Sequence, residues 1–237
     1  MEFDFKGITW RVGHPWGNCH PKHLNSWFGE DTVRVTNDKI VLTVNDNPKE
    51  FFGDIHPYSC GLISSVDMFS YGVYEAEIKL PATPNAWASF WTCSYYGDWL
   101  HEVDICEAET NDRGDYNTEL FKGKLFKSSD VTTNFHYKDS FLEHHQVGAK
   151  GISKLRFISG IDIEDFNKYK MTFDKNYIQI EVNDKCVRKL ADKKVLKWFN
   201  NSPYFYFIIN QDINLTFDKD DYMLKDEMVI KSVKKIK

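Results

Sequence analysis

The chain has 237 residues, 42% of them hydrophobic and 27% charged, a composition that excludes an intrinsically disordered protein. Its net charge of −5 argues against a nucleic-acid-binding protein, which usually presents a strongly basic face, and no apolar run is long enough to span a membrane. The N-terminal residues do not resemble a signal peptide, and the five cysteines, which lack zinc-binding spacing, are expected to be buried free thiols.

Turn signals separate short segments along the chain, and most of these segments alternate between apolar and polar residues with the period of a β-strand. Residues 32–44 and 177–188 each predict a β-hairpin, because a polar turn joins two alternating runs. Residues 73–80 predict a strand with one apolar face. Its other face carries Glu75 and Glu77, which we interpret as structural.

Helical patterns are rare. Residues 191–199 predict a short helix, which ends before Pro203, and residues 204–210 predict a strand that is buried on both faces. Residues 228–236 predict a last strand. Many short strands and few helices indicate an all-β protein, and we expect a monomer with a single β-sandwich domain over residues 1–237; a closed barrel is the alternative.

The most informative segment is an acidic strand. In a strand, residues two apart share a face, so Glu102 and Asp104 point one way while Val103 and Ile105 point into a core. Strict alternation would place Glu107 on the core side, where an unpaired carboxylate is costly. A β-bulge before Glu107 would return it to the acidic face, and bulges are common beside active sites.

Carboxylates this close cannot all ionise freely, so at least one pKa is expected to rise. Two carboxyl groups ~5 Å apart suit a retaining glycosidase, which needs a nucleophile and an acid/base. A solvated acidic edge and a calcium site are the alternatives. A calcium loop, however, uses an irregular segment rich in oxygen ligands, whereas the residues between these acids are apolar and strand-forming.

Residues 102–107 resemble the E-x-D-x-x-E signature of glycoside hydrolase family 16, in the bulged form that is typical of its laminarinases, agarases and carrageenases. Further stretches similar to family patterns occur in the same order along the chain. They are residues 58–81, 86–91, 133–137, 165–169 and 203–210.

This resemblance implies a β-jelly roll of two curved antiparallel sheets with a substrate cleft on the concave face. It implies endo-hydrolysis of a β-linked polysaccharide with retention, with Glu102 as nucleophile and Glu107 as acid/base. Asp104 would hold and tune Glu102. We expect no cofactor. The family is mostly extracellular, whereas no leader is seen in this sequence, so the localisation stays open.

Several positions depart from the family patterns. Leu62, Val73 and Glu77 stand where family members often carry arginine, and Asn167 stands in place of a histidine. Lys231 stands where many members place an aspartate that binds calcium. An ammonium group cannot bind calcium, so we predict no calcium at that position.

Five residues are candidates for substrate binding. Trp99 precedes the acidic strand and is expected to stack on a sugar ring. Trp87 and Trp91 share a strand face, which we assign to the cleft. His136 matches a family position and is expected to hydrogen-bond the leaving group or Glu107, and Asn210 is expected to contact a hydroxyl group.

Residues 14–23 contain three histidines, which suggest a metal site, but two prolines and an unusual spacing favour a loop at the rim of the cleft. The sequence therefore predicts a retaining endo-β-glycosidase that cleaves β-1,3- or β-1,3-1,4-glucan. An agar- or carrageenan-type galactan hydrolase and a non-catalytic carbohydrate-binding jelly roll are the alternatives. Only five arginines are present, which favours a neutral substrate over a sulfated one.

Overall fold

The computed structural model describes residues 1–19, 26–81, 86–109, 131–147, 156–158, 165–213 and 227–237. Apart from a short 3-10 turn at Glu30–Thr32, its elements are strands and one helix, α1 (Lys193–Asn201). The strands are β1 (Glu2–Phe5), β2 (Ile8–Val12), β3 (Ser26–Phe28), β4 (Val33–Val35), β5 (Ile40–Leu42), β6 (Val44–Phe51), β7 (Asp54–Ser65), β8 (Gly72–Lys79), β9 (Ala86–Tyr95), β10 (Trp99–Glu109), β11 (Val131–Lys138), β12 (His144–Gln146), β13 (Arg156–Ile158), β14 (Asn167–Asp174), β15 (Tyr177–Val182), β16 (Lys185–Leu190), β17 (Tyr206–Ile213) and β18 (Met228–Lys235).

The strands form two sheets. The first sheet follows the order β1-β2-β7-β17-β9-β10-β11-β12, with β13 beside β11 and with β3 and β6 beside β7. The second sheet follows the order β16-β15-β14-β8-β18-β5-β4. All pairs are antiparallel except β3 with β7. This architecture confirms the predicted all-β sandwich. Within the described ranges, no helix is long and apolar enough to cross a membrane.

The main core lies between the two sheets. Tyr74, Ala76 and Ile78 from β8 of the second sheet belong to the same buried cluster as Val103 and Ile105 from β10 of the first sheet. The side chains that alternate with Val103 and Ile105 therefore point away from the second sheet. This inside-out alternation places the acidic residues of β10 on the outer face of the first sheet.

A second, smaller apolar cluster covers part of that outer face. It includes Leu62, Cys93 and Ile208, and Trp91 and Trp99 pack against it. Strand β17 lies between β7 and β9, so its apolar residues are buried on both faces, as the sequence predicts.

Both predicted hairpins are confirmed. Strand β4 pairs with β5, and β15 pairs with β16. The second hairpin turns at Asn183 and Asp184, whose φ angles of 48° and 62° are positive. Asparagine and aspartate tolerate this left-handed conformation better than most residues, and the two-residue turn it forms suits the twist of a hairpin.

Three local predictions are wrong. Tyr204 is 52% exposed and precedes the strand, because β17 begins only at Tyr206. The helix is displaced by two residues, because the Asp192 side chain accepts a hydrogen bond from the Lys194 N–H at 2.8 Å and so caps a helix that starts at Lys193. Cys186 is exposed near the turn of the second hairpin, whereas the other four cysteines are buried.

Glu75 and Glu77 lie on the second sheet and take part in ion pairs with the last strand. Glu75 lies 3.0 Å from the Lys234 ammonium group, and Glu77 lies 3.5 Å from that of Lys231. These contacts fit the structural interpretation of both acids. They also give Lys231 a carboxylate partner, while the absence of calcium at this position stays a prediction.

His101 lies on the core side of β10, beneath α1. Its Nε2 is 2.6 Å from the Ser202 carbonyl oxygen, and its ring centroid is 4.8 Å from that of Phe199. Burial lowers the pKa of His101 from 6.5 to about 4. The folded protein therefore keeps this imidazole neutral in a pH range in which the unfolded chain protonates it.

We expect this histidine to make unfolding pH-dependent. Because the unfolded state binds the extra proton, the free energy of unfolding falls as the pH drops from 6.5 towards 4. The difference between 6.5 and 4, at ~1.36 kcal/mol per pKa unit, amounts to about 3 kcal/mol. Urea unfolding should show that the free energy of unfolding falls more between pH 7 and pH 4 in the wild type than in His101→Gln. Equal losses would contradict this account, since the other titrating groups are common to both proteins.

Candidate active site

A cleft of about 730 Å³ opens on the outer face of the first sheet. All eight residues that the sequence predicts for the site line this cleft: Trp87, Trp91, Trp99, Glu102, Asp104, Glu107, His136 and Asn210. They come from four neighbouring strands, β17, β9, β10 and β11, so the order of strands in the sheet brings them together.

The acidic strand contains the predicted β-bulge. The pairing of β10 with β9 shifts between Asp104 and Cys106, and its pairing with β11 shifts between Asp104 and Glu107. Ile105 and Cys106 are both buried in the main core, so the extra residue is taken up there. Glu107 thereby returns to the face that carries Glu102 and Asp104, and all three carboxyl groups line the cleft.

Glu102 and Asp104 lie side by side in the cleft and form an acidic pair. A hydrogen bond joins their side chains, and Asp104 is only 5% exposed. Burial raises the pKa of Glu102 well above its ordinary value, and the charge of Asp104 adds to this rise. Burial and the charge of Glu107 also raise the pKa of Asp104. The pair therefore retains a proton to a higher pH than two separate carboxyl groups would.

A tryptophan N–H group contacts each of the outer two carboxylates. Trp99 Nε1 donates to Glu102 Oε2 at 2.9 Å, and Trp87 Nε1 donates to Glu107 Oε1 at 3.1 Å. Trp99 reaches the cleft because the pairing of β10 with β9 shifts between Trp99 and His101. These donors fix the orientation of the carboxyl groups, and the bond from Trp99 favours the charged form of Glu102.

His136 lies across from Glu102 in the pairing of β11 with β10. Its Nε2 is 3.1 Å from Asp104 Oδ2 and 2.7 Å from the Asn134 amide nitrogen. The sequence predicts a hydrogen bond from His136 to the leaving group or to Glu107, and that prediction is untested. In the structure, the carboxyl group of Asp104 contacts this ring.

Trp91 and Asn210 form a third polar contact in the cleft. Trp91 Nε1 donates to Asn210 Oδ1 at 2.9 Å, across the pairing of β9 with β17. Trp87, Ser89 and Trp91 all line the cleft, so the assignment of this strand face agrees with the structure.

The N-terminal histidine-rich stretch contributes to the rim of the cleft, as expected for its first part. The rings of His14 and Trp16 stack at 4.4 Å, and Trp16 lies 4.8 Å from Tyr95. His14, Trp16 and Tyr95 line the cleft. His20 and His23, which the metal interpretation also requires, lie outside the described residues.

Several lining residues are not predicted from the sequence, and two of them come from a turn or a short strand without a marked pattern. His144 lies on β12, and Asp98 lies in the turn before β10. Lys138 bonds both carboxylate oxygens of Asp98, at 2.8 and 2.7 Å. Asp212 lies on β17 two residues after Asn210, and the same alternation that places Asn210 in the cleft identifies Asp212 in retrospect.

A buried arginine lies behind the acidic strand. Arg188 from β16 of the second sheet donates to the carbonyl oxygens of Thr133 and Val147, which belong to the first sheet and the residue after β12. Its positive charge lowers the pKa of Asp104, against the larger effect of burial. Arg188 therefore connects the two sheets and partly compensates the acidic site.

Two clusters among the described residues bring oxygen and nitrogen atoms within 4.8 Å of one another, as a metal site requires. The first is the acidic pair with His136. There each side chain already bonds another side chain, and these bonds account for the arrangement. The second is Asp139, Glu143 and His145. In this cluster Asp139 accepts hydrogen bonds from His145 and from the loop backbone, and these contacts account for its geometry.

Comparison with solved structures supports the fold. The catalytic domain of an endo-1,3-β-glucanase (laminarinase) from Thermotoga petrophila RKU-1 superposes with a TM-score of 0.68 at 15% identity, over 100% of this chain and 95% of that chain. A GH16 protein of the Bacteroides ovatus mixed-linkage-glucan PUL gives 0.66 at 20% identity, over 98% and 96%. Porphyranase B from Zobellia galactanivorans gives 0.68 at 19% identity, over 95% and 84%.

A search among curated proteins finds no significant match. The profile of the family described as glycosyl hydrolases family 16 matches residues 20–206, which include the whole acidic strand. The match covers most of the chain, and the fold agrees with that of solved members. The chain therefore belongs to glycosyl hydrolases family 16 and is a glycoside hydrolase.

Proposed function

We propose that this chain is a retaining endo-β-glucanase that hydrolyses β-1,3- or β-1,3-1,4-linked glucan. The observation that carries the proposal is the bulged strand β10, which presents Glu102 and Glu107 on one face of an aromatic cleft. A retaining glycosidase needs two such carboxyl groups with different proton states on the same site.

In this mechanism Glu102 is the nucleophile. Its carboxylate attacks the anomeric carbon while Glu107 donates a proton to the leaving oxygen, which gives a covalent glycosyl-enzyme. Glu107 then takes a proton from water, and the water oxygen displaces Glu102. Asp104 lies beside Glu102 and holds it in place, and the N–H group of Trp99 supports Glu102 as the carboxylate that meets the substrate.

The cleft favours a neutral polysaccharide. Its described lining includes five carboxyl groups, those of Asp98, Glu102, Asp104, Glu107 and Asp212. It includes a single lysine, Lys138, which is paired with Asp98. Within the described lining, an anionic sugar would meet carboxylates and no arginine or unpaired lysine, the side chains that usually bind sulfate and carboxylate groups. Exposed faces of tryptophan rings, in contrast, suit the apolar faces of glucose units.

A reducing-end assay tests this proposal. We expect product from laminarin, lichenan or both, and none from agarose or carrageenan. Activity on the galactans alone would identify a galactan hydrolase instead. Binding to β-glucan without turnover would indicate a non-catalytic carbohydrate-binding jelly roll.

Trp99 is expected to contribute both a sugar platform and a hydrogen bond to the nucleophile. Trp99→Phe keeps an aromatic ring but loses the N–H donor to Glu102. Because a hydrogen bond to a charged group is worth ~1.5–3 kcal/mol, kcat should fall ~10–100-fold. Trp99→Ala should in addition raise KM. Steady-state kinetics on laminarin measure both effects, and Trp198→Phe on α1, whose side chain is outside the cleft lining, is the control. Unchanged kcat in Trp99→Phe would contradict the role of the N–H group.

A further inference from the structure

His144 contacts two residues, His136 and Trp99, and each of them in turn contacts one carboxyl group of the acidic pair. Its Nε2 lies 2.8 Å from Nδ1 of His136, and the two ring centroids are 5.1 Å apart with an interplanar angle of 25°, so the rings meet edge to edge. Its ring also meets that of Trp99 edge-on, at 5.1 Å and 87°. His136 and Trp99 in turn contact Asp104 and Glu102. A residue from the short strand β12 thus touches both side chains that hold the acids.

The contact between the two imidazoles decides where His136 carries its protons. A neutral imidazole has one N–H donor and one acceptor nitrogen, and an imidazolium has two donors. The Nδ1 of His136 faces His144, whereas its Nε2 faces Asp104 and Asn134. An acceptor at His144 therefore stabilises a proton on Nδ1. A second proton on Nε2 would face the Asp104 carboxylate and would displace the hydrogen bond from the Asn134 amide nitrogen.

We propose that His144 is a positioning residue, whose Nε2 accepts the Nδ1 proton of His136 and thereby sets the charge that His136 presents to Asp104 and Glu102. Its effect on hydrolysis rests on the proposed function, but its effect on His136 does not. A charged His136 favours the carboxylate form of Glu102, because opposite charges attract across the cleft. Without the acceptor, His136 should lose its proton at a lower pH.

Other ionisable groups surround this pair and remain in place when His144 is changed. Lys138 is paired across the strands with His144, but its ammonium group is bonded to the Asp98 carboxylate. Among the described residues, the groups that face the two histidines or their carboxyl partners include Glu102, Asp104, Cys106 and Glu107 from β10, Cys93 from β9, Lys138 from β11, Arg188 from β16 and Asp98 from the turn before β10.

The experiment separates the nitrogen acceptor from the ring. His144→Phe keeps an aromatic ring against Trp99 and His136 but has no acceptor. His144→Gln loses the ring but offers an amide oxygen. His145→Ala is the matched control, because His145 is the next residue on β12 and instead bonds Asp139. The pKa of His136 is followed by histidine-selective ¹⁵N NMR on the full chain, and thermal melting verifies that each variant is folded.

We expect His136 to titrate ~1 pH unit lower in His144→Phe, and near its wild-type value in His144→Gln and His145→Ala. If the wild type hydrolyses laminarin, the acidic limb of its kcat/KM profile should move to higher pH in His144→Phe and not in His144→Gln. An unchanged or raised pKa of His136 in His144→Phe overturns the proposal. A wild-type pKa of His136 in His144→Phe together with a lowered pKa in His144→Gln also overturns it, because that pattern would show that the ring of His144 acts by packing. Failure of the wild type on every β-glucan would refute the proposed function and leave the NMR result decisive for His144.

Discussion

Glu102→Gln is expected to lower kcat on laminarin at least ~10³-fold, because loss of the nucleophile removes the covalent route altogether. The substitution is nearly isosteric, and the amide oxygen still accepts the N–H group of Trp99, so KM should change little. The same variant should be more stable than the wild type at pH 7. Burial and Asp104 raise the pKa of Glu102 above 4.5, so the ionised group destabilises the folded state at higher pH, and the amide removes this penalty.

A loss of activity together with a gain in stability distinguishes a catalytic carboxylate from a structural one. Glu77→Gln is the matched control, since Glu77 forms an exposed ion pair with Lys231 on the second sheet. We expect that variant to keep wild-type kcat and a similar melting temperature, because exposed ion pairs contribute little. Full activity in Glu102→Gln, or an activity loss explained by unfolding, would refute the assignment of the nucleophile.

Glu107→Gln is expected to lower kcat on laminarin ~10²–10⁴-fold, the usual contribution of a general acid. The loss should depend on the leaving group. A dinitrophenyl β-glucoside oligomer needs no proton to release its phenolate, so its first step should remain fast. Its second step should be slow, because no base activates water. Stopped-flow absorbance should therefore show a rapid burst of dinitrophenolate followed by slow turnover, and azide should accelerate that turnover by replacing water as the nucleophile.

Glu181→Gln serves as the control for this substitution, because Glu181 lies 3.4 Å from Lys170 on the second sheet, away from the cleft. A burst of dinitrophenolate slowed as strongly as the cleavage of laminarin would show that Glu107 does not act as the proton donor. A burst in the Glu102→Gln variant would likewise contradict the roles given to the two acids.

Strand alternation makes the acidic site predictable from sequence. Apolar Val103 and Ile105 fix which face of β10 is buried, and the cost of burying Glu107 requires a bulge before it. The same alternation places Trp87, Trp91 and Asn210 in the cleft. Their positions follow from a period of two and from the burial of apolar side chains, while their roles in catalysis and substrate binding stay predictions.

Other parts of the site depend on long-range contacts that local patterns do not encode. The side chain of Trp99 reaches the cleft through a second register shift, which no neighbouring residue signals. His144 lies on a strand of three residues, too short for a recognisable alternation. Arg188 approaches from the other sheet. The exposed position of Tyr204 has a local cause, since the chain leaves α1 at Asn201 and pairs again only from Phe205, which bonds Phe69.

Trapping the glycosyl-enzyme tests the central claim most directly. A 2-deoxy-2-fluoro β-glucoside oligomer with a dinitrophenyl leaving group forms the covalent intermediate but slows its hydrolysis, because fluorine destabilises the positive charge that develops at the anomeric carbon. After proteolysis, mass spectrometry of the β10 peptide locates the added sugar. The account predicts the label on Glu102. A label on Asp104 or Glu107, or turnover with inverted configuration and no labelled peptide, would contradict it.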